Sequence, residues 1–426
     1  MKFEDSTYER LISELFSKHP TVQKVGFGNG AYKPGLEGMQ RFDASLGSPW
    51  KKFQSIHIAG TNGKGSVSSM LAAALAAGGR KVGLYTSPHL VDFRERMKVI
   101  SRNPGDGSWS MELISREDVF DFLTGTELEG LSFFEITTGM AFWWFARQGV
   151  DMAVIETGLG GRLDSTNIIT PVLSVVTSIG LDHCAMLGDT RAKIAFEKAG
   201  IFKPGVTALV ASRDDETAPV FEEVAAAKGS PLHYADAMGD LPEDEAAALD
   251  LKGPYQALNL RTAKAALQLL GIPADMEAIT RTAALTGFHG RWERLQEDPE
   301  VICDIGHNPA ALKINFAELA GSGRPLIIVY GIMADKDLDG IAPLMPSAAK
   351  YILAAPATER SLQVDALYRR MSQLRPDLDI STAESVSEAV RKALDAASGI
   401  SGSLVYIGGS TFVVSEAVTY LQHNTL

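Results

Sequence analysis

The sequence predicts two α/β domains: a larger amino-terminal one with a mostly parallel sheet and a smaller, Rossmann-like one after it. Three observations carry this prediction. The 426 residues exceed what one ordinary core holds, so two or three domains are expected. Apolar runs of strand length alternate with segments of helical spacing along both parts of the chain, the mark of parallel sheets with helices on both faces. Near the start, Ile56-His57-Ile58-Ala59 runs into Gly60-Thr61-Asn62-Gly63-Lys64-Gly65-Ser66 and then an Ala-rich segment, 68–77. This strand, glycine-rich turn and helix suit a phosphate: the glycines let backbone N–H groups close around it, the helix end adds positive potential and Lys64 supplies a cation. The larger domain is therefore expected to be P-loop ATPase-like.

Taken in order, residues 5–18 set Tyr8, Leu11, Ile12, Leu15 and Phe16 at helical spacing, so an amphipathic helix opens the fold. A Gly-rich stretch, 27–32, precedes a second helix near 36–46. After the phosphate loop a strand, 82–86, leads into Ser87-Pro88-His89-Leu90, and 92–96 alternates in charge. A helix over 116–124 is followed by Ser132-Phe133-Phe134-Glu135, which opens a long apolar helix through Trp143, Trp144 and Phe145. Its aromatics read as core, with Phe134 the exception. Residues 151–156 form a buried strand ending on the charged Glu156, at the sheet edge where open α/β sheets place ligands. The loop 157–167 follows, then a strand, 173–179, Gly180-Leu181-Asp182-His183, and a helix that carries Glu197-Lys198 and stops at Gly200. The acidic stretch 235–250 reads as a solvated connection with a short hairpin near it. Helices near 255–270 and 275–285 complete a first domain of residues 1–287, and 288–298 reads as a linker. A second domain, 299–426, alternates strands (300–305, 325–331, 350–355, 378–382, 403–408) with helices (309–320, 338–345, 363–373, 384–396, 411–422).

Bulk composition narrows the function. With 40 basic against 52 acidic side chains the net charge is -12, which argues against nucleic acid as a partner, so anionic ligands must be held by local cations and backbone amides. Two cysteines, Cys184 and Cys303, fit a reducing compartment rather than a disulfide scaffold. No apolar run approaches the ~18 residues of a membrane span, and the first residues lack signal-peptide character. A cytoplasmic monomer is expected.

Ser87, Glu156, His183 and Lys198 are the set expected to carry chemistry. The first three follow or end strands, and a parallel sheet brings such ends to one edge. Each alone has an ordinary explanation: a turn serine, a capping glutamate, a hydrogen-bonded histidine, a surface lysine. Beside a phosphate loop they suggest a metal-nucleotide site.

The loop departs from the common G-x-x-x-x-G-K-[ST] string, because Gly65 follows the lysine and the hydroxyl comes at Ser66. In this it resembles the nucleotide loop of the Mur ligase superfamily, and within it folylpolyglutamate synthase and dihydrofolate synthase. The strings Glu156-Thr157-Gly158-Leu159-Gly160-Gly161-Arg162-Leu163-Asp164, Leu181-Asp182-His183 and Glu197-Lys198-Ala199-Gly200-Ile201 look like that family's signatures. The resemblance implies that Ser87, Glu156 and His183 ligate Mg²⁺, with Mn²⁺ an acceptable substitute given the histidine, and that Lys198 is carbamylated. It also assigns Gly60 to Ser66, Asn259, Arg291, Asp304 and His307 to ATP, which would sit between the domains. Lys64 and Arg291 would stabilise transferring charge, alongside His183 and Lys198 at the metal. Ser132, Phe134, Arg162, Leu163, Asp164 and Ser165 would border the pterin-bearing substrate, and Gly331 to Asp337 would lie near the amino acid. The implied reaction is ATP-dependent addition of L-glutamate to dihydropteroate or a reduced folate. A Mur-type ligase of nucleotide-sugar peptides, or a nucleotide-gated protein that does not ligate, stays open.

Overall fold

The computed structural model describes residues 3–19 and 35–424; the Gly-rich stretch 27–32 lies outside the described residues. The chain divides into two compact units, one of residues up to Asp250 together with Gln256–Phe288, the other of Leu251–Tyr255 and the chain from His289 onward.

In the first unit the strands are β1 (Gln54–Ala59), β2 (Val82–Tyr85), β3 (Met97–Arg102), β4 (Trp109–Leu113), β5 (Met152–Glu156), β6 (Leu173–Val176), β7 (Ala208–Val210) and β8 (Leu232–Tyr234). Among the described residues they form one sheet in the order β4-β3-β2-β5-β1-β6-β7-β8. All neighbours pair in parallel except β2 with β3 and β3 with β4. Every residue of β2, β5 and β6 is buried, as strands covered on both faces must be. The register sets Glu156 beside Ile58, Tyr85 beside Ile155 and Ala59 beside Val176. Chain leaving β2, β5, β1 and β6 therefore emerges side by side at one edge.

The helix Lys64–Ala77 is buried from Gly65 to Ala76. Its alanines and serines let the sheet approach on one side and helices Gln256–Leu269, Met276–Ile279 and Thr282–Thr286 on the other. The long helix Phe133–Gln148 opens with a capping box, in which Ser132 Oγ accepts from Glu135 N and Glu135 accepts from Ser132 N, and it stops at left-handed Gly149. Trp144 and Phe145 are core residues, as expected, and with Phe142 are at 1% exposure or less, whereas Trp143 is only partly buried against the core.

Several elements differ from the sequence reading. The phosphate-loop helix begins at Lys64, four residues early, so Lys64, Gly65 and Ser66 form its first turn. The hairpin β3–β4 was not anticipated. No hairpin stands near 235–250 among the described residues: β8 pairs in parallel with β7, helix Ala218–Lys228 precedes it, and the acidic stretch contains a short helix, Glu243–Ala247.

The second unit holds β9 (Glu293–Glu297), β10 (Glu300–Asp304), β11 (Leu326–Tyr330), β12 (Ala349–Leu353), β13 (Asp379–Thr382) and β14 (Leu404–Gly408), ordered β13-β12-β11-β14-β10-β9. Neighbours are parallel except β9, which pairs antiparallel with β10. Residues 293–297 are thus an edge strand rather than linker chain, because hydrogen bonding to β10 outweighs their polar composition. Helices flank the sheet as the alternation predicts, and the core gathers Leu312, Phe316, Tyr330, Tyr351, Leu367 and Tyr406.

Candidate active site

The glycine-rich loop is laced to the chain leaving β6. Thr177 Oγ1 donates to the Asn62 carbonyl at 2.7 Å, Asn62 N donates to Ser178 Oγ at 3.2 Å, and Thr61 Oγ1 donates to the Gly180 carbonyl at 3.0 Å. Gly63 caps the helix in the left-handed region, at φ 87°, a conformation glycine adopts at little cost. A Cβ there would also sit 2.3 Å from Asn259 Oδ1, so Asn259 lies against the loop it was expected to serve. A Cβ at Gly65 would meet the Phe288 ring at 2.5 Å and Glu156 Oε2 at 3.5 Å. This accounts for the glycine where the common motif has a hydroxyl residue.

Cations and a carboxylate converge beside this loop. Lys64 Nζ donates to the carbonyls of Gly60 at 3.0 Å and Thr61 at 3.3 Å, and lies 3.9 Å from Glu156 Oε1. Glu156, 3% exposed at the end of β5, accepts from Ser87 N at 3.2 Å. Lys198 Nζ, from the last turn of helix Arg191–Ala199, donates to the same Gly60 carbonyl at 2.8 Å. Burial, reinforced by the Lys64 charge, brings Lys198 down to about 7, with Asp182 and Asp164 opposing. His183 stands at φ 51°, a strained conformation for a residue with a side chain and one that clusters at functional sites. Its N–H donates to Asp182 Oδ1 at 2.9 Å. The structure thus joins Lys64 and the Ser87 backbone to Glu156 directly and Lys198 to Lys64 through their shared Gly60 carbonyl, and His183 follows β6, on the other side of β1.

The loop expected to border the substrate turns on Asp164. This buried carboxylate accepts from the N–H groups of Gly158 (2.9 Å), Leu159 (2.8 Å) and Thr166 (3.0 Å) and from Thr166 Oγ1 (2.5 Å); burial raises its pKa against these bonds. Arg162 forms a two-pronged ion pair with Glu197, at 2.9 Å for Nη2 to Oε1. Leu163 lies between these two anchors, and Ser165 opens the short 3-10 turn Ser165–Ile168. The ring of Phe134 lies over Gly158, 2.5 Å from where a Cβ would be, and 6.0 Å from the Tyr85 ring. Ser132 is 6% exposed and its hydroxyl is engaged in the helix cap.

In the second unit Asp304 is a hub rather than the cap of the following helix. Its carboxylate accepts from Tyr255 Oη (2.5 Å), Trp292 N (3.0 Å), Gly306 N (2.7 Å) and Asn315 Nδ2 (2.8 Å), while Asn308 caps helix Pro309–Gly321. Arg291 Nη1 donates to the Gly290 carbonyl at 3.2 Å, and His307 Nδ1 lies 3.0 Å from the Ile305 carbonyl. Asp335, in the 331–337 segment, pairs with Arg360. Ser410 caps the last helix through Val413 N.

Arg96 is a site neighbour that the sequence reading missed. Only 2% exposed, it donates through Nε to His89 Nδ1 at 2.8 Å, and its guanidinium lies 5.3 Å from the Phe133 ring centre. Burial lowers its pKa, while Tyr85, Glu156 and Glu95 favour its charge. The available signal was Met97, Val99 and Ile100 of the strand that starts immediately after it.

Comparison with known proteins bears on this geometry. The model of the Mur ligase glutamate ligase domain matches residues 290–411. Folylpolyglutamate synthase of Lacticaseibacillus casei is 32% identical over 84% of this chain and 90% of its own. The chain belongs to the folylpolyglutamate synthase/dihydrofolate synthase family. Within that family the chain also matches a probable bifunctional folylpolyglutamate synthase/dihydropteroate synthase of Halobacterium salinarum, 34% identical over 91% of this chain, and spans about half (49%) of that relative's length. The structure of Escherichia coli FolC in complex with DHPP and ADP superposes with a TM-score of 0.80 at 29% identity, covering 98% of each chain. A bifunctional folylpolyglutamate synthase/dihydrofolate synthase with Mn, AMPPNP and L-glutamate bound gives 0.76 at 29% identity, over 92% of this chain and 95% of that one. Among the described residues, no helix is long and apolar enough to cross a membrane.

Proposed function

We propose that the chain is an ATP-dependent ligase that joins L-glutamate to dihydropteroate or a reduced folate. The observation that carries this is the convergence of Lys64, Glu156 and Lys198 on the Gly60 turn in a member of this family. ATP would pass its γ-phosphoryl group to the substrate carboxylate, leaving ADP. The neutral amine of glutamate would attack the acyl phosphate, phosphate would leave, and the amine proton would pass to solvent. Lys64 and Arg291 would stabilise charge on the transferring group; by the family resemblance, the Gly60 to Ser66 turn, Asn259, Asp304 and His307 would hold the nucleotide. Phe134 and the loop from Arg162 to Ser165, with Ser132 behind it, would border the pterin-bearing substrate.

The donor set fits a hard divalent cation, since Glu156 offers a buried carboxylate to the loop edge. Ser87, Glu156, His183 and carbamylated Lys198 would hold Mg²⁺ or Mn²⁺, which when bound withdraws charge from phosphate oxygens. Lys198 suits carbamylation: an amine brought down to about 7 is neutral in about half the molecules at pH 7, against one in several thousand for an ordinary lysine. The reading carries a cytoplasmic, monomeric enzyme. Its test is to supply MgATP, L-glutamate and either dihydropteroate or tetrahydrofolate and weigh the products. Gain of one glutamyl unit on either acceptor is expected; ATP consumption with neither acceptor extended overturns the reading.

A further inference from the structure

The mechanism above makes no use of His57, in the middle of β1. Its side chain is fully buried between Ile56 and Ile58 of the strand, where an alkyl side chain would pack without a polar group to satisfy. His57 Nε2 lies 2.8 Å from Thr166 Oγ1. That hydroxyl also lies 2.5 Å from Asp164 Oδ1, and an ionised carboxylate only accepts, so the Thr166 proton goes to Asp164. The Thr166 oxygen is then left to accept, and His57 must donate through Nε2. Its Nδ1 has no hydrogen-bond partner among the described residues, consistent with an unprotonated nitrogen on a neutral ring. Burial, with the nearby Lys203 charge, pushes His57 down to about 3, so the ring stays neutral across the working pH range.

A directed chain results: His57 N–H to Thr166 O–H to the Asp164 carboxylate, which collects the Gly158, Leu159 and Thr166 N–H groups. Removing the first donor leaves the Thr166 oxygen buried and short of a partner, and frees the hydroxyl to rotate away from Asp164. The carboxylate would lose one of its four bonds and the turn from Gly158 to Asp164 its fixed shape. The same strand ends in the Gly60 turn that holds Lys64 and Lys198, so one rigid element supports both loops.

We infer that His57 is a positioning residue that, through Thr166 and Asp164, holds the 158–166 loop in the conformation that receives the pterin-bearing substrate. This rests on the proposed role of that loop, and the test separates the two. Full-length wild type is compared with His57→Leu, which fills the space without a donor, and His57→Gln, whose amide nitrogen can occupy the Nε2 position. Amide hydrogen exchange across 158–166 and steady-state KM values for the folate-type acceptor and for ATP are measured. In His57→Leu the Gly158, Leu159 and Thr166 amides should exchange about tenfold faster or more, with acceptor KM rising about tenfold and ATP KM unchanged. His57→Gln should restore both. Unchanged exchange at 158–166 in the Leu variant, or exchange raised equally throughout the first unit, overturns the positioning role whatever the substrate proves to be. Should His57→Leu fail to fold, Thr166→Val removes the same link and is read by the same amides. Faster exchange at 158–166 with no change in acceptor KM overturns the link to substrate while sparing the ligase assignment.

Discussion

Gly65→Ser would restore the G-K-S end of the common G-x-x-x-x-G-K-S string, although Ile58 stands where that string has its first glycine, and by motif alone it should improve nucleotide binding. The structure predicts the reverse. A Cβ at residue 65 falls 2.5 Å and 2.8 Å from two carbons of the Phe288 ring, whereas carbon contacts settle at about 3.5–4.0 Å. The ring or the helix start must yield by ~1 Å, and overpacking of this kind costs about 1–3 kcal/mol. Since Lys64 and the loop N–H groups sit on that same first turn, part of the displacement falls on the nucleotide. A loss of about 1.4 kcal/mol there is a tenfold rise in the ATP dissociation constant. Calorimetric titration with a non-hydrolysable ATP analogue reads this directly, with Gly65→Ala to separate the Cβ from the hydroxyl. If the ring is the obstacle, Phe288→Ala should return affinity to the Gly65→Ser protein, a coupling that a double-mutant cycle isolates. Wild-type affinity in Gly65→Ser, or a loss that Phe288→Ala leaves untouched, refutes the steric argument.

Two further outcomes follow from the buried lysines. Lys198→Ala should lower ligation by about 100-fold or more and abolish any stimulation of activity by added bicarbonate; full activity at ordinary Mg²⁺ concentration would remove carbamylation from the mechanism. Lys98, whose ammonium donates to the Thr286 and Gly287 carbonyls at 2.8 and 2.7 Å, is held by burial at about 8 against an ordinary 10.5. The unfolded chain therefore binds more protons between those values, so stability should rise with pH from about 8 to 10.5, by up to about 3 kcal/mol. Urea midpoints across that range should show a shallower rise in Lys98→Met, the remainder belonging to Lys198 and Lys203, which burial also lowers, and an unaltered slope would exclude Lys98 as a source.

The sequence made the fold legible wherever burial on both faces writes a largely apolar run, interrupted at most by one polar residue such as His57 or Ser174. Residues 56–59, 152–155, 173–176, 326–330 and 404–407 announced strands on that ground. Edge strands do not carry this signal. Trp109–Leu113 alternates with exposed polar residues, and Glu293–Glu297 is charged at both ends, so the first went unseen and the second read as linker. Lys64, Ser87, Glu156 and His183 stand out because they follow or end strands or sit in a glycine-rich string, whereas Lys198 lies in a helix and Arg291 in a connecting segment, where the family resemblance alone marks them. Arg96 hid in a run of alternating charge that resembles surface. The partners of Asp304, namely Tyr255, Trp292 and Asn315, come from separate segments and only the fold brings them to one carboxylate. His57 hid for the opposite reason, as a polar residue flanked by Ile56 and Ile58 in a strand that reads as core.

One carbonyl makes the chemical logic of the first unit concrete. Gly60 O accepts from both Lys64 at 3.0 Å and Lys198 at 2.8 Å, so two amines share an acceptor at the edge of the sheet. Two ammonium groups held there repel, and burial together with the Lys64 charge disfavours the charge on Lys198. Either of two events relieves the conflict: arrival of an anionic phosphate, which gives Lys64 a stronger partner, or conversion of the Lys198 amine to an anionic carbamate. The first belongs to the proposed reaction and the second to the proposed metal site. The Gly60 turn therefore suits the proposed nucleotide and the proposed carbamylation of Lys198, and Glu156, 3.9 Å from Lys64, contributes negative charge to the same edge.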